Sequence, residues 1–213
     1  MKTEEKSEKE RNKILTFVAE KFYREGFYKT SMDEIAGELR VSKKTIYKYF
    51  PSKEHLLEVI CQVTEDSITK KIHAIINGNG DVITKILRLM NMYNNFMLNI
   101  SEKWLSDLRI HYPSIIKKQE NFRSDEVFDI LIKLLTQGKK EKLIENYPAP
   151  LILNTFVSTF QSFLHTDFII NNKFSMQEAV NYTFDMLFNG ILTAKGRIVY
   201  KITMKKIGKE INI

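Results

Sequence analysis

Breakers, cysteines and long apolar runs are all scarce in this sequence. Four prolines and eight glycines among 213 residues leave long uninterrupted stretches, which favours helices over a strand-and-turn architecture. A single cysteine, Cys61, excludes an intramolecular disulfide and gives no sign of an oxidising compartment. No apolar run reaches the roughly 18 residues of a membrane span, and the opening Met1-Lys2-Thr3-Glu4-Glu5-Lys6 lacks the apolar stretch of a signal peptide. The expectation is a soluble, cytoplasmic protein with no membrane partner. Catalytic groupings are missing as well. His55, His73, His111 and His165 are scattered, with no metal-ligand spacing among them or toward Cys61. There is no phosphate-binding glycine loop and no serine elbow. Neither an enzyme, a cofactor nor a metal is expected.

Hydrophobic residues make up 43% of the chain and charged residues 28%, a balance that excludes wholesale disorder. The net charge of +7 is unevenly spread. Residues 1–55 hold 13 basic and 10 acidic side chains, residues 56–192 hold 14 and 15, and residues 193–213 hold 6 and 1. Within the first segment, Arg40, Lys43, Lys44, Lys48 and Lys53 follow one another with no intervening acid. Such a block suits a polyanion, DNA or an anionic membrane surface, although a solvated helix face can look the same.

Periodicity predicts helices almost throughout. Ile14, Leu15, Val18, Ala19 and Phe22 recur at helical spacing up to a terminating Gly26. Ser31, with Glu34 three residues on, reads as a capping box for a short helix whose inner face is Met32, Ile35, Ala36 and Leu39. After a tight turn, Ser42 caps a second short helix ending near Tyr49. Ser52, preceded by Pro51, caps a longer one carrying Leu56, Leu57, Ile60 and Val63. Further helices are expected from Asp81 onward, around Trp104, through Phe128 to Gly138, and over 151–168 and 175–192, with 139–150 as a connector. The fold class is all-α, with about nine helices.

Two short helices joined by a tight turn cannot bury a core by themselves. The helix before them and the start of the helix after them supply the missing apolar wall. On the second short helix Val41, Thr45, Ile46 and Tyr49 can face inward, leaving Lys43, Lys44, Tyr47 and Lys48 outward. This is a helix-turn-helix pattern with a basic, aromatic-bearing second helix sized for the major groove.

At this point the sequence resembles the tetracycline-repressor (TetR) family of bacterial transcription regulators. The resemblance is carried by Thr30-Ser31-Met32-Asp33-Glu34-Ile35-Ala36, by Val41-Ser42-Lys43-Lys44-Thr45-Ile46-Tyr47-Lys48-Tyr49-Phe50 and by Ser52-Lys53-Glu54. It covers about fifty N-terminal residues without gaps. It implies a three-helix DNA-binding domain at 1–54 and a helical effector-binding and dimerisation domain at 55–213. It further implies that Thr30 and Ser31 hydrogen-bond phosphate and that Lys43, Lys44 and Tyr47 touch base edges. Thr45, Lys48 and Tyr49 would lie against backbone or adjacent bases, and Lys53 would meet a phosphate at a helix N-terminus. Ser42 caps, with a phosphate contact as its second role.

The family's partners would be a palindromic operator, a second copy of the chain and a small-molecule effector, with repression as the usual outcome. Tyr93, Asn94, Trp104, His111, Gln161 and His165 are the polar or amphipathic candidates for the effector pocket. One departure stands out: the family has glycine in the turn where this chain has Arg40. Two rival readings stay open on sequence alone, a helical protein laying its basic tail (195–209) on anionic lipid and a small helical enzyme.

Overall fold

The computed structural model describes residues 2–115, 126–162 and 175–210. The chain through them is helical: α1 (Lys2–Glu25), α2 (Met32–Leu39), α3 (Lys43–Tyr49), α4 (Lys53–Asn77), α5 (Val82–Leu98), α6 (Glu102–His111), α7 (Glu126–Lys140), α8 (Ala149–Ser162), α9 (Met176–Ile191) and α10 (Ala194–Glu210). By packing they divide into two compact units, Met1–Thr69 with Asn99–Gln119, and Lys70–Leu98 with Glu120–Ile213.

The core of the first unit begins at Ile14. Ile14, Val18 and Phe22 of α1 meet Ile35 and Ala36 of α2, Ile46 of α3, and Leu56, Leu57 and Ile60 of α4, all buried. Val63, placed on the inner stripe of α4 by periodicity, is instead exposed, and Cys61 takes the buried place. Nothing in the spacing of apolar residues marks α6 as part of this core. Its Trp104 stands edge-on to Tyr23 at 4.7 Å and to Phe27 at 5.1 Å between ring centroids. Ser101 caps α6, accepting from the Trp104 amide at 3.1 Å, and its own amide donates to the Tyr23 carbonyl at 2.8 Å.

The turn after α1 is built on Asp107 of α6. One carboxylate oxygen accepts the amides of Phe27 (2.7 Å) and Tyr28 (2.8 Å). Gly26 makes room for it: φ is +75°, and an added Cβ would stand 2.7 Å from that same oxygen. Both the left-handed backbone and the close approach call for glycine.

In the second unit Val82, Ile83 and Leu87 of α5, Leu134 and Leu135 of α7, Ile152 and Leu153 of α8, and Phe184 and Phe188 of α9 form one core. Asp81 caps α5 as expected, accepting from the Thr84 amide at 2.8 Å. Helix α7 runs past Gly138 to Lys140, and the chain then reverses at Lys142, whose φ is 58°. The basic segment after residue 193, which lacks a strong apolar stripe, is the helix α10. It starts where Thr193 accepts from the Gly196 amide at 3.0 Å while its own amide donates to the Leu143 carbonyl at 3.1 Å. Gly196 sits so close to that carbonyl that a Cβ would overlap it.

The Asp107 contact gives a direct test of the fold. Asp107→Ala leaves the buried Phe27 amide unpaired and removes two bonds to a charged acceptor, so it should cost about 2–4 kcal/mol in chemical denaturation. Asp107→Asn keeps an acceptor and should lose less.

Candidate nucleic-acid interface

The two short helices are each set by a serine and a turn. Ser31 Oγ accepts from the Glu34 amide and Ser42 Oγ from the Thr45 amide, both at 3.1 Å. The Glu34 carboxylate does not complete the capping box on the Ser31 side; it faces Lys21 Nζ at 3.5 Å. Lys21 is buried and also holds Glu25 (2.9 Å) and Glu38 (2.8 Å). These bonds, the one to Glu38 foremost, hold the lysine well above its ordinary value. Glu25 is pushed below the usual carboxylate range by Arg24 first and Lys21 second. Glu34 and Glu38 of α2 are thus tied to α1.

Between the two helices the chain reverses at Arg40, with φ 55° and ψ 41°. The Val41 amide donates to the Ala36 carbonyl at 3.0 Å and the Arg40 amide to the Gly37 carbonyl at 3.1 Å, the paired pattern that closes a helix through a left-handed residue. The departure from glycine noted in the sequence is therefore absorbed without rearranging the turn, at the strain a side chain pays there.

On α3, Ile46 is buried, Thr45 and Tyr49 are half-buried, and Lys43, Lys44, Tyr47 and Lys48 are exposed; Val41, in the turn before the helix, is half-buried. Tyr47 keeps 45% of its surface. Lys43 forms an ion pair with Asp33 of α2. The Tyr49 hydroxyl donates to Glu10 (2.8 Å) and accepts from Lys48 Nζ (3.0 Å), with Ser7 Oγ at 2.9 Å. That hydroxyl holds the Lys48 ammonium above its usual range. Thr30 is buried at the entrance to α2, leaving Ser31 as the exposed one of the two. Lys53 Nζ donates to the Tyr28 carbonyl at 2.7 Å, and partial burial lowers its pKa, opposed by Asp107 and Glu34.

The effector candidates fall in different places. Trp104 is core of the first unit, and His111 stacks on Tyr28 at 3.5 Å between ring centroids. Tyr93 and Asn94 lie on α5 in the second unit, where Asn94 Nδ2 donates to Asn181 Oδ1 of α9 at 2.9 Å. His165 and the Gln161 side chain lie outside the described residues. Lys21 and Asp107 were missed from sequence. Glu25 at i+4 from Lys21 is a readable signal, but Glu38 and Asp107 come close only through the fold.

Arg40 carries a measurable consequence. Arg40→Gly relieves the left-handed strain but frees the unfolded chain, so the variant should gain about 0.5–1 kcal/mol in thermal unfolding.

Residues 14–60 match the family described as bacterial regulatory proteins, tetR family. Over 169 residues the chain is 23% identical to the uncharacterized HTH-type transcriptional regulator YvaF of Bacillus subtilis, covering 76% of this chain and 85% of that one. A solved TetR/AcrR-family regulator from Thermobifida fusca shares the fold at a TM-score of 0.65 and 24% identity, covering 84% of this chain and 97% of its own. A regulator from Saccharomonospora viridis, solved with choline, does so at 0.69 and 16%, covering 86% and 97%. Motif, geometry and family match converge on the same segment: residues 14–60 are a DNA-binding helix-turn-helix domain of the tetR family of bacterial regulatory proteins.

Proposed function

We propose that the protein is a dimeric transcriptional repressor that reads a palindromic operator through α3 and leaves it when a small molecule binds the second unit. The observation that carries this reading is the outer face of α3. Lys43, Lys44, Tyr47 and Lys48 are exposed together, while Ile46 behind them is buried. A helix of this size with cations and one aromatic outward fits the major groove, where Lys44 can reach guanine O6 or N7. Ser31, Ser42, Thr45, Tyr49 and Lys53 frame it with hydroxyls and an ammonium, groups that fix register on phosphates; buried Thr30 supports the entrance from behind. The Lys43–Asp33 pair would open or be shared when DNA arrives. The DNA-reading module is residues 1–54 on this view, and the remainder senses and assembles.

Assembly falls to α8 and α9. Leu151 on α8 and Tyr182 and Met186 on α9 keep 58%, 66% and 68% of their surface. Tyr182 and Met186 are one turn apart on the same face. A two-fold interface there would bury at least about 1,000 Å² and hold two recognition helices at a fixed spacing. For the effector, Tyr93 and Asn94 of α5 are the candidates that the second unit presents among its described residues, Gln161 and His165 keep their place as candidates, and the choline complex of a protein with this fold supports a small-molecule ligand in general rather than choline in particular. Effector binding would favour a dimer spacing that fits the operator poorly.

Selection from random duplexes tests the DNA reading and should enrich a palindromic motif; enrichment of none overturns it. On the selected duplex, Lys44→Ala or Tyr47→Ala should lose about 1–3 kcal/mol and relax base preference at the contacted position. Arg40→Gly should bind less tightly, with a salt slope smaller by about one phosphate contact per protomer.

For assembly, Met186→Lys puts a charge on the proposed two-fold face. Light scattering at micromolar concentration should show a dimer for the native chain and a shift toward the 25.1 kDa monomer for the variant. A native chain that is already monomeric would refute the interface.

A further inference from the structure

We propose that the first three turns of α1 form a second DNA-contacting surface, which holds phosphates flanking the half-site read by α3. The proposal rests on the DNA-binding reading of α3 and adds a contact outside the helix-turn-helix.

No residue from Glu4 to Lys13 is buried, and the core starts only at Ile14. At 1.5 Å per residue the twelve residues before Ile14 carry the helix about 18 Å beyond what packing uses, a distance of about five base steps at 3.4 Å each. A segment that short holds its helix poorly without contacts of its own. The contacts it makes are to the recognition helix and its end: Ser7 and Glu10 meet the Tyr49 hydroxyl at 2.9 and 2.8 Å, and the Arg11 guanidinium lies 5.4 Å from the centre of the Phe50 ring. The extension is therefore anchored beside α3.

The extension also arranges its charge by face. Lys6 and Lys13 stand one turn before and one turn after Glu10, on the flank that carries Glu10 toward Tyr49 and Lys48. Glu4, Glu5 and Glu8 point elsewhere around the helix. Both lysines are exposed, and neither has an acidic partner among the described residues. Lys9, by contrast, is paired with Glu5 at 2.7 Å. Glu10 itself is partly compensated, because it accepts from the Tyr49 hydroxyl that also bonds the Lys48 ammonium. Two uncommitted cations thus extend the row of cations on α3.

The occupant follows from chemistry. Residues 2–13 contain no apolar side chain, so a lipid surface would gain nothing by insertion. A polyanion that already runs along α3 meets Lys6 and Lys13 simply by continuing. The contact is to phosphate, carries no base information and should act equally on every flanking sequence.

The test uses the full chain and a duplex selected by it from a random pool, prepared with flanks and trimmed to the two half-sites. The paired substitution Lys6→Gln and Lys13→Gln should weaken binding to the flanked duplex by about tenfold or more and lower the salt slope by about two contacts per protomer. Base preference and melting temperature should not change. On the trimmed duplex the native chain should lose that advantage and bind as the variant does. Lys205→Gln with Lys206→Gln, an exposed pair on α10, controls for net charge alone.

A variant as tight as the native chain on flanked DNA overturns the proposal, as does an equal loss on both duplexes or a loss matched by the control pair. Failure of Lys44→Ala to affect binding would instead count against the reading of α3, so the two ideas fail separately. A lysine pair that serves a protein partner would appear as no change on either duplex.

Discussion

Everything on the reading surface depends on burying one face of two helices that are too short to stand alone. Helix α2 has eight residues and α3 seven, well below the length at which an isolated helix persists in water. Their stability is borrowed from Ile35, Ala36, Ile46 and Phe50, which close onto Ile14, Val18 and Phe22 of α1 and Leu56 and Leu57 of α4. Because packing fixes the inner face, the outer face is free to hold cations that repel one another. Without that core, Lys43, Lys44 and Lys48 on a seven-residue helix would favour the unfolded chain.

Polar bonds then set the angles that apolar packing leaves loose. Lys21 ties α2 to α1 through Glu34 and Glu38, and Asp107 ties the intervening turn to α6 through two backbone amides. The charges in the first tie persist across the neutral range. Lys21, raised above its ordinary value, contributes fully below about 10.5 and loses its contribution only as pH climbs past its folded value. Glu25, held low, contributes above its ordinary 4.5 and loses it as pH falls through its lower folded value. Tyr28 joins several of these ties: its amide goes to Asp107, its carbonyl to Lys53 and its ring to His111. The backbone that leads from α1 into α2 is therefore held from α4 and α6 together.

The turn at Arg40 shows how local strain and surface charge trade against each other. A left-handed arginine costs roughly 1–2 kcal/mol relative to a relaxed conformation, yet the hydrogen bonds that close α2 are both made. The guanidinium that comes with this strain stands exposed at the entrance to α3. A glycine would settle the backbone and remove the charge.

Residue order and spacing suffice for the helical class, for the capping serines Ser31, Ser42 and Ser52, and for which side of α3 is wet. Those are properties of spacing and of side chains acting on backbone a few residues away, and such short-range physics is written in order along the chain. Gly26 was legible for the same reason, as a helix-terminating glycine; Arg40 stood out only against the glycine of the resembled family, and the fold decided that it is left-handed, with φ 55°. Tertiary structure alone decided that α6 packs with the N-terminal helices, that Asp107 reaches back some eighty positions to Phe27, and that Glu10 and Ser7 meet Tyr49. It also decided that Trp104 is core, where the sequence offered it as a pocket residue, and that the basic segment after Thr193 is a helix seated on α5. The periodicity of α10 is weak because its buried face is made of Gly196, Thr203 and the half-buried Val199 and Tyr200. Small and polar residues bury well only where a neighbouring backbone comes close, and that approach is a property of the folded chain.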